Sequence, residues 1–145
     1  MAYMIRLKSF SDKRGRLTPI DGVLPFDIKR LYYISNITDE SERGGHAHYE
    51  TIEALFCVNG SFTVVINNGK TREEFFLNDH NQCLIVEPHD WHMMYNFSMG
   101  AILMGVSSTH YDHSDYYYEE PLIHDTVRKP KKTKRTVSRR VYSKI

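Results

Sequence analysis

Cysteine is scarce in this chain: only Cys57 and Cys83 among 145 residues. Both sit in apolar, strand-like runs, which reads as two buried free thiols; a single disulfide stays open as the other reading. Long hydrophobic runs are absent too, and nothing approaches the roughly 20 apolar residues that span a bilayer. Arg6 and Lys8 interrupt the N-terminal apolar stretch, so no signal-peptide core forms there. No long segment shows helical periodicity, and there is no internal repeat. These absences leave the expectation of a soluble, cytoplasmic, single-domain protein built without helices.

Acidic residues are missing from one end. Residues 1–127 carry ten Lys/Arg against all eighteen Asp/Glu, a net of −8, while residues 128–145 carry nine Lys/Arg and no acid. The expected division is an acidic folded domain over 1–127 and a basic C-terminal tail over 128–145. The tail has no apolar period and reads as a solvated segment, with an anionic partner such as nucleic acid or the membrane surface as the other option. Aromatics are scarce in it and the body holds no nucleic-acid module, so nucleic acid is not an expected partner.

What is present is β-pattern. Runs rich in β-branched and aromatic residues predict strands over 3–8, 28–35, 52–58, 61–67, 72–77, 82–87, 91–97 and 101–106. Turn chemistry separates them, most clearly Asn59-Gly60 between two apolar runs. Short strands at regular spacing with tight turns predict an all-β sandwich or small barrel.

The most informative segment is Arg43-Gly44-Gly45-His46-Ala47-His48. On a strand, residues two apart face the same way. Two imidazoles would then project into one space, suited either to binding a metal or to moving protons near neutrality. Glu53 follows His48 by five positions and Gly60 follows Glu53 by seven. This spacing resembles the first motif of the cupins, double-stranded β-helix (jelly-roll) barrels. Pro88-His89-Asp90-Trp91-His92 followed by Asn96 resembles their second motif, with Asp90 where Gly is usual and one residue fewer between Pro and His. The cupin resemblance implies a metal-ligand set of His46, His48, Glu53 and His92.

A closer resemblance covers about residues 3–120. Phe26-Asp27-Ile28-Lys29-Arg30-Leu31-Tyr32-Tyr33-Ile34, then Glu42 through His48, Cys57-Val58-Asn59-Gly60-Ser61, Trp91-His92 through Phe97-Ser98, and Ser107-Ser108 with Tyr111-Asp112 and Ser114-Asp115-Tyr116 are collinear motifs. Together they resemble the dTDP-4-dehydro-6-deoxyglucose 3,4-ketoisomerases, cupins that use no cofactor and no catalytic metal. The resemblance implies a dTDP-linked 4-keto-6-deoxyhexose as substrate, with its C4 ketone moved to C3, and a homodimer with exchanged strands. It assigns the proton-transfer pair to His46 and His48 and a phenol to the strand before the Arg-Gly-Gly turn, matched by spacing to Tyr32.

The alternation pattern leaves Tyr32 and Tyr33 both open, because neither face of that strand is clearly interior. Arg30 and Arg43 are candidates for the diphosphate, since guanidinium forks match phosphate oxygens. Trp91 and His92 are expected beside the substrate, with His92 deciding the face from which C4 is protonated. Close relatives are expected to carry Gln near Glu53. The carboxylate here either orients a histidine or permits a metal. The cluster Tyr116-Tyr117-Tyr118 reads as packing or a subunit contact. His80, His89, His110, His113 and His124 fall in turn-like sequence and read as surface residues. The rival readings are a metal-dependent cupin enzyme and a non-catalytic sugar-binding cupin.

Overall fold

A computed structural model describes residues 1–38 and 40–123. The basic tail proposed over 128–145, and His124, lie outside the described residues. Twelve strands appear in the order β1 (Tyr3–Arg6), β2 (Phe10–Asp12), β3 (Gly15–Leu17), β4 (Arg30–Ile34), β5 (Arg43–His48), β6 (Glu53–Asn59), β7 (Phe62–Asn67), β8 (Arg72–Leu77), β9 (Gln82–Val86), β10 (Trp91–Tyr95), β11 (Ile102–Ser107) and β12 (Tyr116–Tyr117). No α-helix occurs among the described residues, and one 3-10 turn (His113–Asp115) precedes β12. One five-stranded sheet runs β1-β9-β6-β11-β4 and the other β12-β5-β10-β7-β8, while β2 and β3 form a separate hairpin. The pairings are antiparallel throughout. This is the all-β jelly-roll architecture of the cupins.

The two sheets share one core. Leu55 and Cys57 of β6, Leu84 and Val86 of β9 and Leu103 of β11 pack with Phe62, Val64 and Ile66 of β7, Leu77 of β8 and Met94 of β10. Period-2 alternation sends the intervening residues outward. On the first sheet Ala54, Phe56, Cys83, Ile85 and Val106 form a second cluster, covered by Ile20, Leu24 and Phe26 from the long β3–β4 connection. On the second, Ala47, Val65 and Trp91 form a third with Tyr117. Val65 is therefore buried on the outward face, which explains why β7 shows apolar residues on both of its faces.

Both cysteines are buried and free. Burial pushes the thiols up, Cys57 to about 11 and Cys83 to about 12, so neither supplies a thiolate at neutral pH. Among the described residues, no helix is long and apolar enough to cross a membrane.

The interior is apolar at one end and polar at the other. Along the inward face β6 reads Cys57, Leu55, Glu53; β11 reads Leu103, Gly105, Ser107; β4 reads Ile34, Tyr32, Arg30; and β10 reads Met94, His92. Register places these changes side by side: Ser107 opposes both Glu53 and Arg30, Gly105 opposes Tyr32, and His92 opposes His46. Each strand contributes its hydrophobic residues to the closed end and its polar ones to the mouth.

Candidate active site

Arg30, Tyr32, Glu42, Arg43, His46, Glu53, His92 and Tyr116 border a cavity of about 520 Å³ at that mouth. This volume falls within the ~300–1,000 Å³ range of small-molecule sites. His46 is half-buried on its wall, whereas His48, Glu53 and His92 are buried behind it. Ring nitrogens of the three histidines and a Glu53 oxygen all lie within 4.8 Å of one another. Two close approaches make this possible. Gly44 has φ +86, and a Cβ there would sit 2.8 Å from the His92 carbonyl oxygen, so glycine lets β5 press against β10. Gly105 has no side chain where the Tyr32 ring lies, and a Cβ would meet that ring at 2.1 Å.

Glu53 is the hub. Its Oε1 accepts from the Tyr32 hydroxyl at 3.1 Å and from Ser107 Oγ at 3.1 Å. Its Oε2 faces Nε2 of His48 at 3.7 Å and Nε2 of His92 at 3.5 Å. These last two are electrostatic contacts rather than formed hydrogen bonds, and both Nε2 atoms are buried without a hydrogen-bond partner among the described residues. Burial opposes ionisation of Glu53, but His48 and His92, when their Nε2 atoms carry protons, outweigh it and hold the carboxyl well below its ordinary value. The anion in turn raises the Tyr32 phenol, together with burial, so Tyr32 stays a proton donor.

His46 has the opposite environment. Burial, reinforced by His92 and His48, pushes it down to about 4. Its imidazole is therefore neutral at pH 7, with a lone pair at the cavity wall. His92 Nδ1 donates to the Asp90 carbonyl at 3.1 Å, which turns its Nε2 toward Glu53.

Of the two tyrosines left open by pattern, Tyr32 is the inward one, bonded to Glu53; Tyr33 is 61 % exposed at the cavity's border. Arg30 is sandwiched, its guanidinium 4.8 Å from the Tyr32 ring centre and 5.1 Å from that of Tyr111, and it donates to the Tyr116 hydroxyl at 3.2 Å. Arg43 is exposed on the cavity rim. Trp91 departs from expectation. It points away from the cavity, packs with Ala47 and Val65, and donates its indole N–H to the Tyr118 carbonyl at 3.2 Å. Adjacent strand residues face opposite ways, so His92 pointing inward forces Trp91 outward.

The three-tyrosine run is likewise split by alternation. Tyr117 packs outward, but Tyr116 lines the cavity, with ring centres 4.7 Å from His46 and 4.4 Å from His48. Sequence reasoning also missed Ser107 and Asp115 as neighbours of the site. Asp115 reaches His48 Nδ1 at 3.1 Å, and its only sequence signal was the collinear Ser114-Asp115-Tyr116 motif.

This arrangement offers a neutral base at the wall, a buried carboxylate behind it, a phenol donor and two cationic groups at the rim. It suits proton transfer on a small polar substrate carrying an anionic group.

Comparisons with known proteins agree. Residues 2–126 match the family model described as FdtA: WxcM-like, C-terminal. A TDP-4-oxo-6-deoxy-alpha-D-glucose-3,4-oxoisomerase of Aneurinibacillus thermoaerophilus is 38 % identical over 115 residues, covering 78 % of this chain and 83 % of that protein. The structure of QdtA, a sugar 3,4-ketoisomerase of Thermoanaerobacterium thermosaccharolyticum in complex with TDP, superposes with a TM-score of 0.78 at 36 % identity, over 81 % of this chain and 88 % of that one. A His-to-Asn variant of the same enzyme, in complex with TDP-4-keto-6-deoxyglucose, gives 0.79 at 35 % identity over 81 % and 87 %.

Proposed function

From the premise that this chain belongs to the FdtA (WxcM-like, C-terminal) family, as a sugar-nucleotide 3,4-ketoisomerase, we propose that it moves the C4 ketone of dTDP-4-dehydro-6-deoxyglucose to C3 with its own histidines as proton carriers. The observation that carries this reading is the neutral, cavity-facing His46 backed by the buried Glu53, His48 and His92. His46 removes the C3 proton, an enediol forms across C3 and C4, and a proton returns to C4 while O3 loses one and O4 gains one. Bonds and electrons balance without an external oxidant. Tyr32 stands beside the developing enediol oxygen as donor, and His48 with Glu53 carries protons behind the wall. Arg30 and Arg43 meet the diphosphate. His92 sets the face of C4 protonation, with the galacto product favoured. That product is a substrate for amination at C3, toward a 3-amino-3,6-dideoxyhexose. The enzyme works as a homodimer with exchanged N-terminal strands. Exposed apolar residues on the β2–β3 hairpin (Phe10, Leu17) and on β4 (Leu31, Tyr33) support that assembly.

The test is NMR of the reaction in D₂O with dTDP-4-dehydro-6-deoxyglucose. We expect deuterium to enter the sugar ring as the 3-keto product accumulates, and the C4 coupling to give its configuration. Binding without ring exchange or product would leave a sugar-binding cupin instead.

A second reading rests on the convergence of His46, His48, Glu53 and His92 within 4.8 Å. Three imidazoles and a carboxylate suit a divalent transition metal. Metal analysis of the purified protein, with activity measured before and after chelation, separates the two. Turnover that survives removal of all metal favours the histidine mechanism.

A further inference from the structure

One carboxylate touches the histidine cluster and has no assigned role. Asp115 closes the 3-10 turn that Asp112 caps, where the Asp112 carboxylate accepts from the Ser114 amide at 2.9 Å. β12 then pairs Tyr116 with His48, which delivers Asp115 to the rear of the His48 ring. Its Oδ2 lies 3.1 Å from His48 Nδ1. The carboxylate is fixed from several sides. Oδ1 accepts from the Glu50 amide at 2.8 Å, and Oδ2 accepts from the Thr51 amide at 3.3 Å and from the Thr51 hydroxyl. That hydroxyl also meets Thr109 Oγ1 at 2.6 Å. Both Asp115 oxygens thus already serve as acceptors, from two backbone amides and a hydroxyl.

With both oxygens accepting from N–H and O–H donors, the carboxyl group meets His48 as an acceptor too, so His48 Nδ1 donates to it. A neutral imidazole has a single N–H. With that proton on Nδ1, Nε2 carries a lone pair, and Nε2 is the buried, unpartnered atom that faces Glu53 Oε2 at 3.7 Å. Two carboxylates thus compete for one imidazole proton. Asp115 holds it at hydrogen-bond distance, whereas Glu53 stands farther off. Without Asp115, Glu53 would claim the proton and occupy Nε2 with an N–H of its own.

We infer that Asp115 is a positioning residue that fixes His48 as its Nδ1–H tautomer, so that every proton His48 takes or gives passes through Nε2 on the Glu53 side of the site. The inference rests on the reading above, in which His48 takes part in proton transfer, and it assigns a role to a residue that does not line the cavity.

The test compares the full-length wild type with Asp115→Ala and Asp115→Asn. Nitrogen NMR of ¹⁵N-histidine-labelled protein at about pH 8, where free imidazole is neutral, reads the tautomer without substrate. Wild type should show His48 protonated at Nδ1, and D115A should shift that proton to Nε2. In D115A we expect kcat to fall about 100-fold with KM within about threefold, as for loss of an orienting partner. D115N replaces one acceptor oxygen by an N–H donor, which facing Nδ1 imposes the Nε2–H tautomer, so it should lose the wild-type Nδ1–H pattern and at least about tenfold in kcat. An Nε2–H pattern in wild type, or kcat within about twofold of wild type in D115A, overturns the inference. Should D115A fail to fold by circular dichroism, an unchanged kcat in D115N overturns it equally. A wild-type protein that shows Nδ1–H on His48 yet turns over no keto sugar overturns the functional reading and not the tautomer.

Discussion

His46 and His48 are two positions apart on one strand, and their surroundings give them different work. His46 is half-buried at the cavity wall and lacks a carboxylate at hydrogen-bond distance, so burial, with His92 and His48 beside it, pushes it down to about 4. His48 lies deeper, between Asp115 and Glu53. If His46 is the base, His46→Asn should lower kcat by at least ~1,000-fold, leaving only what binding and electrostatics supply. The circular dichroism spectrum should be unchanged, and turnover near wild type would remove His46 from that role. The shift also sets a pH window. A base with its pKa near 4 keeps its lone pair far below the ordinary histidine value of about 6.5, so the acid limb of kcat/KM should fall near pH 4. Folding follows the same sign. The unfolded imidazole takes its proton near pH 6.5 and the folded one only near 4, so acidification between those values favours the unfolded chain, and the contribution is fully present above 6.5. Melting curves across that window should fall less steeply for H46N than for wild type. At this scale the cluster was legible because His46, His48, Glu53 and His92 keep a fixed spacing on paired strands. Asp115 was not read as a partner of His48, because its contact depends on a two-residue strand pairing across 67 positions of chain.

Strand geometry decides which of these groups can meet. The period-2 rule and the turn residues anticipated β4, β6, β7, β8, β9, β10 and β11 to within a few residues, since each carries β-branched or aromatic residues between turn signals. The predicted run over 91–97 stops at Tyr95 because Asn96 adopts φ +52. β5 was expected only conditionally, as its first half, Arg43-Gly44-Gly45, has little strand propensity and its glycines adopt positive φ. β2, β3 and β12 are three, three and two residues long, too short to show a period. The face of β4 could not be read from its own residues, because Arg30 and Tyr32 are inward for chemical reasons while Leu31 and Tyr33 are exposed and apolar. Its partner strand settles the matter: Gly105 opposes Tyr32 and leaves room for the ring across the β11 backbone. Gly105→Ala should therefore act at a distance from the chemistry. A methyl group 2.1 Å from the Tyr32 ring displaces the phenol from Glu53. The expected loss is about 1–3 kcal/mol of stability by overpacking, read by denaturant unfolding, together with a fall in kcat. Tyr32→Phe in the same background should cost little further activity, because the two changes remove one contact. Independent, additive losses would separate Gly105 from Tyr32.

At the scale of the molecule, the cavity lining among the described residues ends before residue 123. Among the described residues, the last that lines the cavity is Tyr116. Beyond it, Asn67 Nδ2 secures the following segment by donating to Glu120 Oε1 and the Pro121 carbonyl, both at 2.9 Å. The family match likewise ends at residue 126. Residues 128–145 add nine positive charges to a body whose net charge is −8 and bring the whole chain to +1. A surplus of one sign governs association and solubility rather than fold. A chain ended after Val127 should then keep kcat/KM within about twofold of the full chain. It should also focus at a distinctly acidic pH, against the sequence value of about 7.8 for the whole chain. Binding to an anionic matrix should separate the two forms, strongly retaining the full chain at low salt and releasing it as salt screens the basic run. A truncated protein that folds but loses more than about tenfold in kcat/KM would place part of the basic segment in the catalytic body and overturn the division at residue 127.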